Sequence, residues 1–394
     1  MFVVDLFIFI LALSVVMSDC YQESVRCVDE ENNAVDWYVI YKLPKIKASD
    51  NVLIRNGLAY LYMTSNASKG WVLSSKSVNS TDSLPGRTMS QLYESCSNQN
   101  SSLLWLIYND EPVNGTSSLD LGHTKGVVVA NMDGGFWLVH SVPKFPPVPC
   151  TSQMYGYPAT GLHYGQSFFC ISMAAKSLDI VGEQLLYNEP ELYSSQIPFN
   201  LKDVYPNLSL ASQKKWIEAA PWFHIATLTS MKGDSFWSFA KSRHFGEDLY
   251  ADLVAPNLKS DLFVESWQNG EGKLPSECQS DFIVENIAAV TCNTGKSQVV
   301  EFHSSKDHSK WTVTSNSSNP WVCIGDINRM ESQKKRGGGT VCTSNKDLWI
   351  AYKSTVQSVD SCPVAQDFNN KASYMEKQAT VYLLLFIFIY NIMI

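Results

Sequence analysis

The chain has 394 residues, of which 17% are charged, 45% hydrophobic and 12% aromatic. These proportions exclude a disordered chain, a collagen-like repeat and a long coiled coil, and they supply apolar material for one large domain or two medium ones. The formal net charge of −8 argues, taken alone, against a phosphate-rich partner, whose charge cations would have to neutralise.

Leu6 to Val16 forms an apolar run of eleven residues broken only by Ser14, and small residues follow at the exit. This predicts a secretory signal peptide over residues 1–18, cleaved near Ser18, although its first residues carry Asp5 and no Lys or Arg. All ten cysteines then remain in the mature chain. With no CxxC pair and no zinc-type Cys/His spacing, cysteines in a secreted chain point to disulfides. Six glycosylation sequons, at Asn66, Asn79, Asn100, Asn114, Asn207 and Asn316, fit the same compartment.

Further along, β-branched and aromatic runs predict strands over Val35–Leu43, Leu103–Tyr108, Val127–Ala130, Phe136–His140 and Ser167–Met173. In the second half they predict strands over Ile225–Thr229, Phe282–Val290, Val299–His303 and Trp321–Ile324. Helical patterns cover Ala174–Tyr187, Ser235–Phe245 and Asp347–Thr355, with Asp234 as N-cap of the second. Met132 to Gly135 is a turn that joins two strands as a hairpin. The expectation is a mixed α/β protein with an N-terminal half over 19–180 and a C-terminal half over 181–365. Residues 366–394 form a polar spacer and an apolar tail. The run Thr380–Ile394, fifteen residues, is short for a membrane span, and its layout fits a GPI-anchor signal or a tail that simply packs.

A weak internal repeat carries the chemistry. Gly122–Gly126 reads GHTKG and leads through a strand and a Gly-rich turn to Trp137; Asp307–Trp311 reads DHSKW and leads through a similar stretch to Trp321. The His-to-Trp intervals are 14 and 13 residues, and the two copies lie 185 residues apart. Two similar halves, each giving one His-x-Lys, predict a pseudo-two-fold molecule with one central site. On extended backbone, residues i and i+2 share a face, so His123 projects with Lys125 and His308 with Lys310. Two imidazoles and two ammoniums suit a phosphodiester. The lysines neutralise the nonbridging oxygens. One imidazole attacks phosphorus, and the other protonates the leaving oxygen and then activates water. Such a site calls for no metal and no cofactor.

At this point the residues resemble those of the deoxyribonuclease II family, the acid endonucleases of lysosomes and secretions. The resemblance rests on Val35-Asp36-Trp37, Tyr41–Pro44, Tyr108–Pro112, GHTKGVVV at Gly122–Val129, GGFWLVHSVPKFPP at Gly134–Pro147 and YGQSFFCIS at Tyr164–Ser172. In the second half it rests on FAKSRHFGEDLY at Phe239–Tyr250, DHSKW, WVCIGDINR at Trp321–Arg329 and RGGGTVC at Arg336–Cys342. It covers Cys27 to Cys362 and leaves out both apolar ends.

The resemblance implies a phospholipase-D-like α/β fold of two related halves, each a β-sheet flanked by helices. It implies metal-independent cleavage of double-stranded DNA at acid pH, in lysosomes or secretions, with 3′-phosphate and 5′-hydroxyl products. Degradation of engulfed, apoptotic or ingested DNA is the expected role. The family's histidines fall on His123 and His308, with Lys125 and Lys310 beside them, and a further one falls on His140. We take His123 as nucleophile and His308 as general acid, an assignment open to exchange. Asp326 and Asn328 stand where a side chain would orient an imidazole or hold a phosphate, or simply form a polar turn.

The resemblance also implies disulfides between Cys27 and Cys170, Cys278 and Cys362, and Cys323 and Cys342. It leaves Cys20, Cys96, Cys150 and Cys292 without assigned partners, with three ways of forming two more bridges. His163, His224, His244 and His303 carry no pattern of their own. Arg336 and its three glycines, beside Lys334 and Lys335, read as a phosphate-facing loop or as a flexible basic surface loop. Alternatives to the nuclease are an inactive DNA-binding or interaction protein of the same fold and an enzyme acting on lipid phosphodiesters. A homodimer and attachment through a GPI anchor stay open as partner states. The negative charge does not exclude DNA, because full protonation of the seven histidines in an acid compartment would bring −8 to −1.

Overall fold

A computed structural model describes residues 25–97, 102–294 and 299–363; the expected signal peptide, Cys20, Asn100 and the apolar tail lie outside them. The first sheet has eight strands: β1 (Trp37–Lys42), β2 (Tyr60–Thr64), β3 (Ala67–Leu73), β4 (Leu104–Asn109), β5 (Lys125–Ala130), β6 (Gly134–His140), β7 (Gln166–Ala174) and β8 (Leu192–Gln196). Four helices accompany it: α1 (Val52–Asn56), α2 (Leu84–Ser97), α3 (Ala175–Asn188) and α4 (Pro206–Ser212). Its order is β3-β2-β1-β7-β6-β5-β4-β8, with every neighbouring pair antiparallel.

The second sheet begins with the hairpin β9 (Phe223–Thr229) and β10 (Ser235–Lys241), then β11 (Leu262–Glu265), β12 (Val284–Asn293) and β13 (Val299–His303). It continues with β14 (Trp311–Thr314), β15 (Val322–Gly325), β16 (Gly338–Thr343) and β17 (Val356–Asp360). Its helices are α5 (Ala255–Leu258), α6 (Glu331–Lys334) and α7 (Lys346–Lys353). The order is β13-β12-β11-β14-β15-β16-β10-β9, with β17 beside β12. The protein is thus a mixed α/β fold of two sheets and few helices, and the chain changes sheet between β8 and β9.

The pleat sorts the core into layers, because successive side chains of a strand leave on opposite faces. Trp37, Val39 and Tyr41 of β1 enter a central core with Leu178, Val181 and Leu185 of α3 and Trp311 and Val313 of β14. The intervening Tyr38 and Ile40 pack outward with Met89 and Leu92 of α2. Phe239, Val264, Cys323 and Cys342 cover the far face of the second sheet, against Leu253, Val254 and Leu258. Because β1, β4, β5 and β6 are buried along their whole length, their sequences are almost continuously apolar, with one polar residue at an end: Lys42, Asn109 and His140 close β1, β4 and β6, and Lys125 opens β5. Full burial of a side chain such as Trp311 contributes on the order of 3 kcal/mol relative to leaving it in water.

Most expected elements form. The turn before β6 is held by Asn131 Oδ1, which accepts the backbone N–H groups of Asp133 at 3.0 Å and Gly134 at 3.3 Å. One expectation is corrected: Ser235–Phe245 is not a helix, since Ser235–Lys241 is β10, paired with β9 and β16. Its alternating Phe236, Ser238 and Ala240 against Trp237 and Phe239 suit a pleated surface, and the adjacent β9 supplies the hairpin partner. Asp234 caps no helix; its carboxylate accepts Trp37 Nε1–H at 2.8 Å.

The three implied disulfides form, and Cys96 pairs with Cys150 as a fourth. Cys292 is a buried free thiol, its pKa pushed up by burial and by Asp307. Asn66, Asn79, Asn114 and Asn316 are exposed. Asn207 is half-buried, and the amide nitrogen that a glycan would need donates to Asp179 Oδ2 at 3.0 Å.

Candidate active site

Each His-x-Lys unit lies on the extended lead-in to a hairpin strand: His123 precedes β5, whose first residue is Lys125, and His308 and Lys310 precede β14. The two halves then hold each other's histidine by matching groups. The His123 backbone N–H donates to Gly337 O, and that of His308 to Gly165 O, both at 2.9 Å. His123 Nδ1 lies 2.6 Å from Asp326 O, and His308 Nδ1 lies 2.9 Å from Ser141 O. A carbonyl only accepts, so each ring carries its proton on Nδ1 and, when neutral, a lone pair on Nε2. Gly165 and Gly337 are small by necessity. A Cβ on Gly165 would stand 2.4 Å from Asp307 Oδ1, and one on Gly337 would stand 2.3 Å from Asn188 O. His123 and His308 are 6% and 8% exposed as whole residues, which leaves little more than an edge for a substrate.

The strand registers extend this correspondence. With Lys125 set against Lys310, pairing along β4–β5 and β11–β14 puts Asp110 against Trp267. Pairing along β5–β6–β7 and β14–β15–β16 puts Ser141 against Asp326, Tyr164 against Arg336 and Cys170 against Cys342. Lys42 at the end of β1 corresponds to Lys241 at the end of β10. The hydrogen bonds agree: Lys42 Nζ donates to the carbonyls of Gly161, Leu162 and Tyr164, and Lys241 Nζ to those of Gln333, Lys334 and Arg336. Burial pushes the Lys42 ammonium down to about 7 and that of Lys241 to about 8.

The surroundings of the two histidines differ. Asp110, just past β4, sits 3.7 Å from His123 Nε2, accepts from Lys125 Nζ, and lies 3.3 Å from Arg336 Nη2. Burial would raise this carboxyl, but His123, Lys125 and Arg336 more than offset it and hold it well below the usual range. Asn328 Nδ2 stands 3.5 Å from His123 Nε2. Asp326 also receives the Lys125 backbone N–H at Oδ2, and burial pushes its carboxyl up to about 7.

Among the described residues, no carboxylate pairs with His308 as Asp110 does with His123. Trp267 packs against its ring at 5.2 Å between centroids, and Tyr164 packs on Trp267 at 4.5 Å. Lys310 makes no ion pair among the described residues; its Nζ donates to His308 O at 2.6 Å and lies 3.1 Å from His308 Nδ1. Burial lowers its pKa, and the Lys125 charge lowers it further. Both imidazoles are lowered well below 6.5, by burial first; Lys310, Lys125 and His123 add to this at His308, while Asp110 opposes it at His123.

The structure therefore brings together His123, Lys125, His308, Lys310, Asp326 and Asn328. Among the described residues, His140 makes no hydrogen bond or ring contact with either imidazole, though the charges of Lys125 and Asp110 reach it. It is buried between Phe145 and Phe168, its Nδ1 accepts the Val142 N–H at 3.2 Å, and its Nε2 has no partner. Arg336 is neither a flexible loop residue nor free for phosphate: it is buried on Asp110 and donates to the carbonyls of Ser118, Leu121 and Gly122. His163 and His303 are exposed, His224 bonds Gln184, and His244 packs on Trp222. Asp110, Trp267 and Gln166, whose Oε1 lies 3.3 Å from His308 Nδ1, are the residues that the sequence pattern does not single out. Only Asp110 had a signal, a carboxylate ending an apolar strand. Among the described residues, no group of three or more His, Cys, Asp or Glu side chains is arranged to hold a metal.

Residues 26–362 match the family Deoxyribonuclease II. The chain is 38% identical to Deoxyribonuclease-2-alpha of Mus musculus over 343 residues, which cover 86% of this chain and 94% of that one. It is 38% identical to Plancitoxin-1 of Acanthaster planci, covering 86% and 93%, and 35% identical to Deoxyribonuclease-2 of Caenorhabditis elegans, covering 85% and 93%.

Proposed function

The chain belongs to the deoxyribonuclease II family, and from that premise we propose that this acid, DNA-degrading nuclease works without a metal through a phosphohistidine intermediate. The observation that carries the reading is the exchange of matching bonds around the two imidazoles, which aims two Nε2 atoms into one buried, cationic site. We read the two sheets as the related halves of a phospholipase-D-like fold, divided between β8 and β9.

His123 Nε2 attacks phosphorus, the P–O5′ bond breaks, and the departing oxygen takes the proton from His308. The 3′-phosphoryl group stays on His123. Water then attacks, its proton passes to His308, the P–N bond breaks, and a 3′-phosphate end is released. Asn328 and the Asp326 carbonyl orient the nucleophile. Lys310, free of a carboxylate partner, neutralises the nonbridging oxygens, and Lys125 adds charge that Asp110 moderates. His140 lies near enough to Lys125 and Asp110 to feel both charges, and we read it as a support for that side of the site.

Four disulfides fit the secretory pathway, and we place the enzyme in lysosomes or secretions, acting on engulfed or ingested DNA. Release by phosphatidylinositol-specific phospholipase C tests anchoring through the tail. The mechanism is tested by nicking of plasmid DNA near pH 5 in EDTA. His123→Ala and His308→Ala each abolish it; a requirement for Mg²⁺, or activity surviving in both variants, refutes the mechanism.

A further inference from the structure

The two approaches to the paired histidines occupy corresponding positions in the two sheets but have unlike chemistry. On one side Arg336, Asp110 and Lys125 form a buried ionic cluster that leads to His123. On the other, four rings follow one another inward: His163 packs on Tyr164 at 4.5 Å, Tyr164 on Trp267 at 4.5 Å, and Trp267 on His308 at 5.2 Å. His163 is exposed, Tyr164 and Trp267 are half-buried, and His308 is buried, so the series runs from solvent to the reacting centre. Lys42 holds the carbonyls of Gly161, Leu162 and Tyr164, which fixes the segment that carries the outer rings.

We propose that Trp267 and Tyr164 form a nucleobase subsite, on which the base of the nucleotide beside the scissile phosphate stacks when DNA occupies the histidine pair. This rests on the active-site reading above. A phosphodiester at His308 carries a sugar and base on each side, and one of them must pass the aromatic series. A half-buried indole is a sequence-tolerant platform, since every base has a π-face, and stacking contributes about 1–3 kcal/mol per base. The ionic side offers no such surface, because the guanidinium of Arg336 is tied to Asp110 and to three carbonyls. The asymmetry would fix the direction in which a strand crosses the site: one nucleoside on the rings, and its neighbour toward Asp110 and Arg336. A duplex would need local unstacking to use the platform.

The test compares cleavage of a short oligonucleotide with that of the same chain carrying tetrahydrofuran abasic residues on both sides of one phosphodiester. With normal bases, Trp267→Leu should lower kcat/KM by about 5- to 150-fold, the factor equivalent to one stacked base. Trp267→Tyr, which keeps a ring, should lose much less. With the abasic substrate, wild type and Trp267→Leu should cleave at similar rates. An equal loss on both substrates overturns the subsite and makes Trp267 a packing partner of His308. Equal kcat/KM for wild type and Trp267→Leu on the normal oligonucleotide overturns it as well. Activity surviving in His308→Ala would instead mark failure of the active-site reading itself, a result that the abasic comparison does not produce.

Discussion

Asp110→Asn removes one negative charge while keeping the side chain's shape, at a carboxylate that serves three groups. Lys125 Nζ, Arg336 Nη2 at 3.3 Å and His123 Nε2 at 3.7 Å all surround it, and it is almost wholly buried. Breaking a buried pair from one side leaves a cation uncompensated and costs about 3–5 kcal/mol. That should lower the thermal midpoint by at least about 5 °C, followed by circular dichroism. The folded carboxyl ionises far below the unfolded one, so its stabilisation is complete above about pH 4 and is lost only as the pH falls toward the folded value. The deficit of the variant should therefore be the same at pH 5 and pH 7 and narrow only below about pH 4. Inorganic phosphate should restore part of it, because Lys125 and Arg336 then lack a counter-charge; ligand at a hundredfold excess over its Kd returns about 2.7 kcal/mol. In activity, the His123 imidazolium loses its stabilising neighbour, so the acid limb of the nicking profile should move to lower pH. An unchanged midpoint at pH 5 and pH 7, or an acid limb that stays in place, refutes the role given to Asp110.

Three further outcomes follow from buried groups. Burial lowers the His140 pKa, so the folded ring stays neutral while the unfolded one charges below about 6.5, and stability falls with pH through that window. His140→Phe should reduce the loss between pH 7 and pH 5 by up to about 2 kcal/mol in urea unfolding; a variant with the wild-type slope contradicts the assignment. Lys42→Met orphans three carbonyls and should cost about 3 kcal/mol or more. Because the folded ammonium deprotonates near 7 and the unfolded one near 10.5, wild-type stability should also rise more steeply than the variant's above pH 7. A non-reduced peptide map should show Cys96 joined to Cys150, with Cys292 alkylated only after denaturation. Cys96→Ser should cost about 4 kcal/mol for a separation of 54 residues in the chain-entropy account.

Much of the fold was legible because burial on both faces writes itself as long apolar runs, as in β4 and β5. The repeat was legible because its hairpins recur with nearly equal spacing. Ser235–Phe245 was misread because its aromatic residues also fit a helical face, and the β9 partner that decides the matter is a tertiary fact. The site was half legible. His-x-Lys is local in sequence, whereas the groups that aim each ring are 203 and 167 residues away. Asp326 and Asn328 stood out as polar residues closing an apolar strand. Trp267 did not, since one indole among eleven looks like core until it is seen against His308. Arg336 and its glycines read as a phosphate-facing or flexible basic loop because three glycines suggest a cradle; Gly337 instead makes room for the Asn188 carbonyl, Gly338 for Ile327 and Gly339 for the Phe239 carbonyl.

The acid dependence has a more local source than the net charge. Three of the seven histidines, His123, His140 and His308, are buried with lowered pKa values, so protonation near pH 5 does not carry −8 all the way to −1. What DNA meets at the centre is the pair of lysines Lys125 and Lys310, and what the chemistry lacks above acid pH is a proton on His308. Burial and the neighbouring cations keep that proton off in the free enzyme. A phosphodiester anion beside the ring works in the opposite direction, so substrate binding and protonation promote each other. For steady-state cleavage of an oligonucleotide, log kcat/KM should fall by one per pH unit above an apparent pKa below 6.5, while kcat titrates at a higher pKa. If the complex titrates at or below the free enzyme, His308 does not deliver the proton to the leaving oxygen.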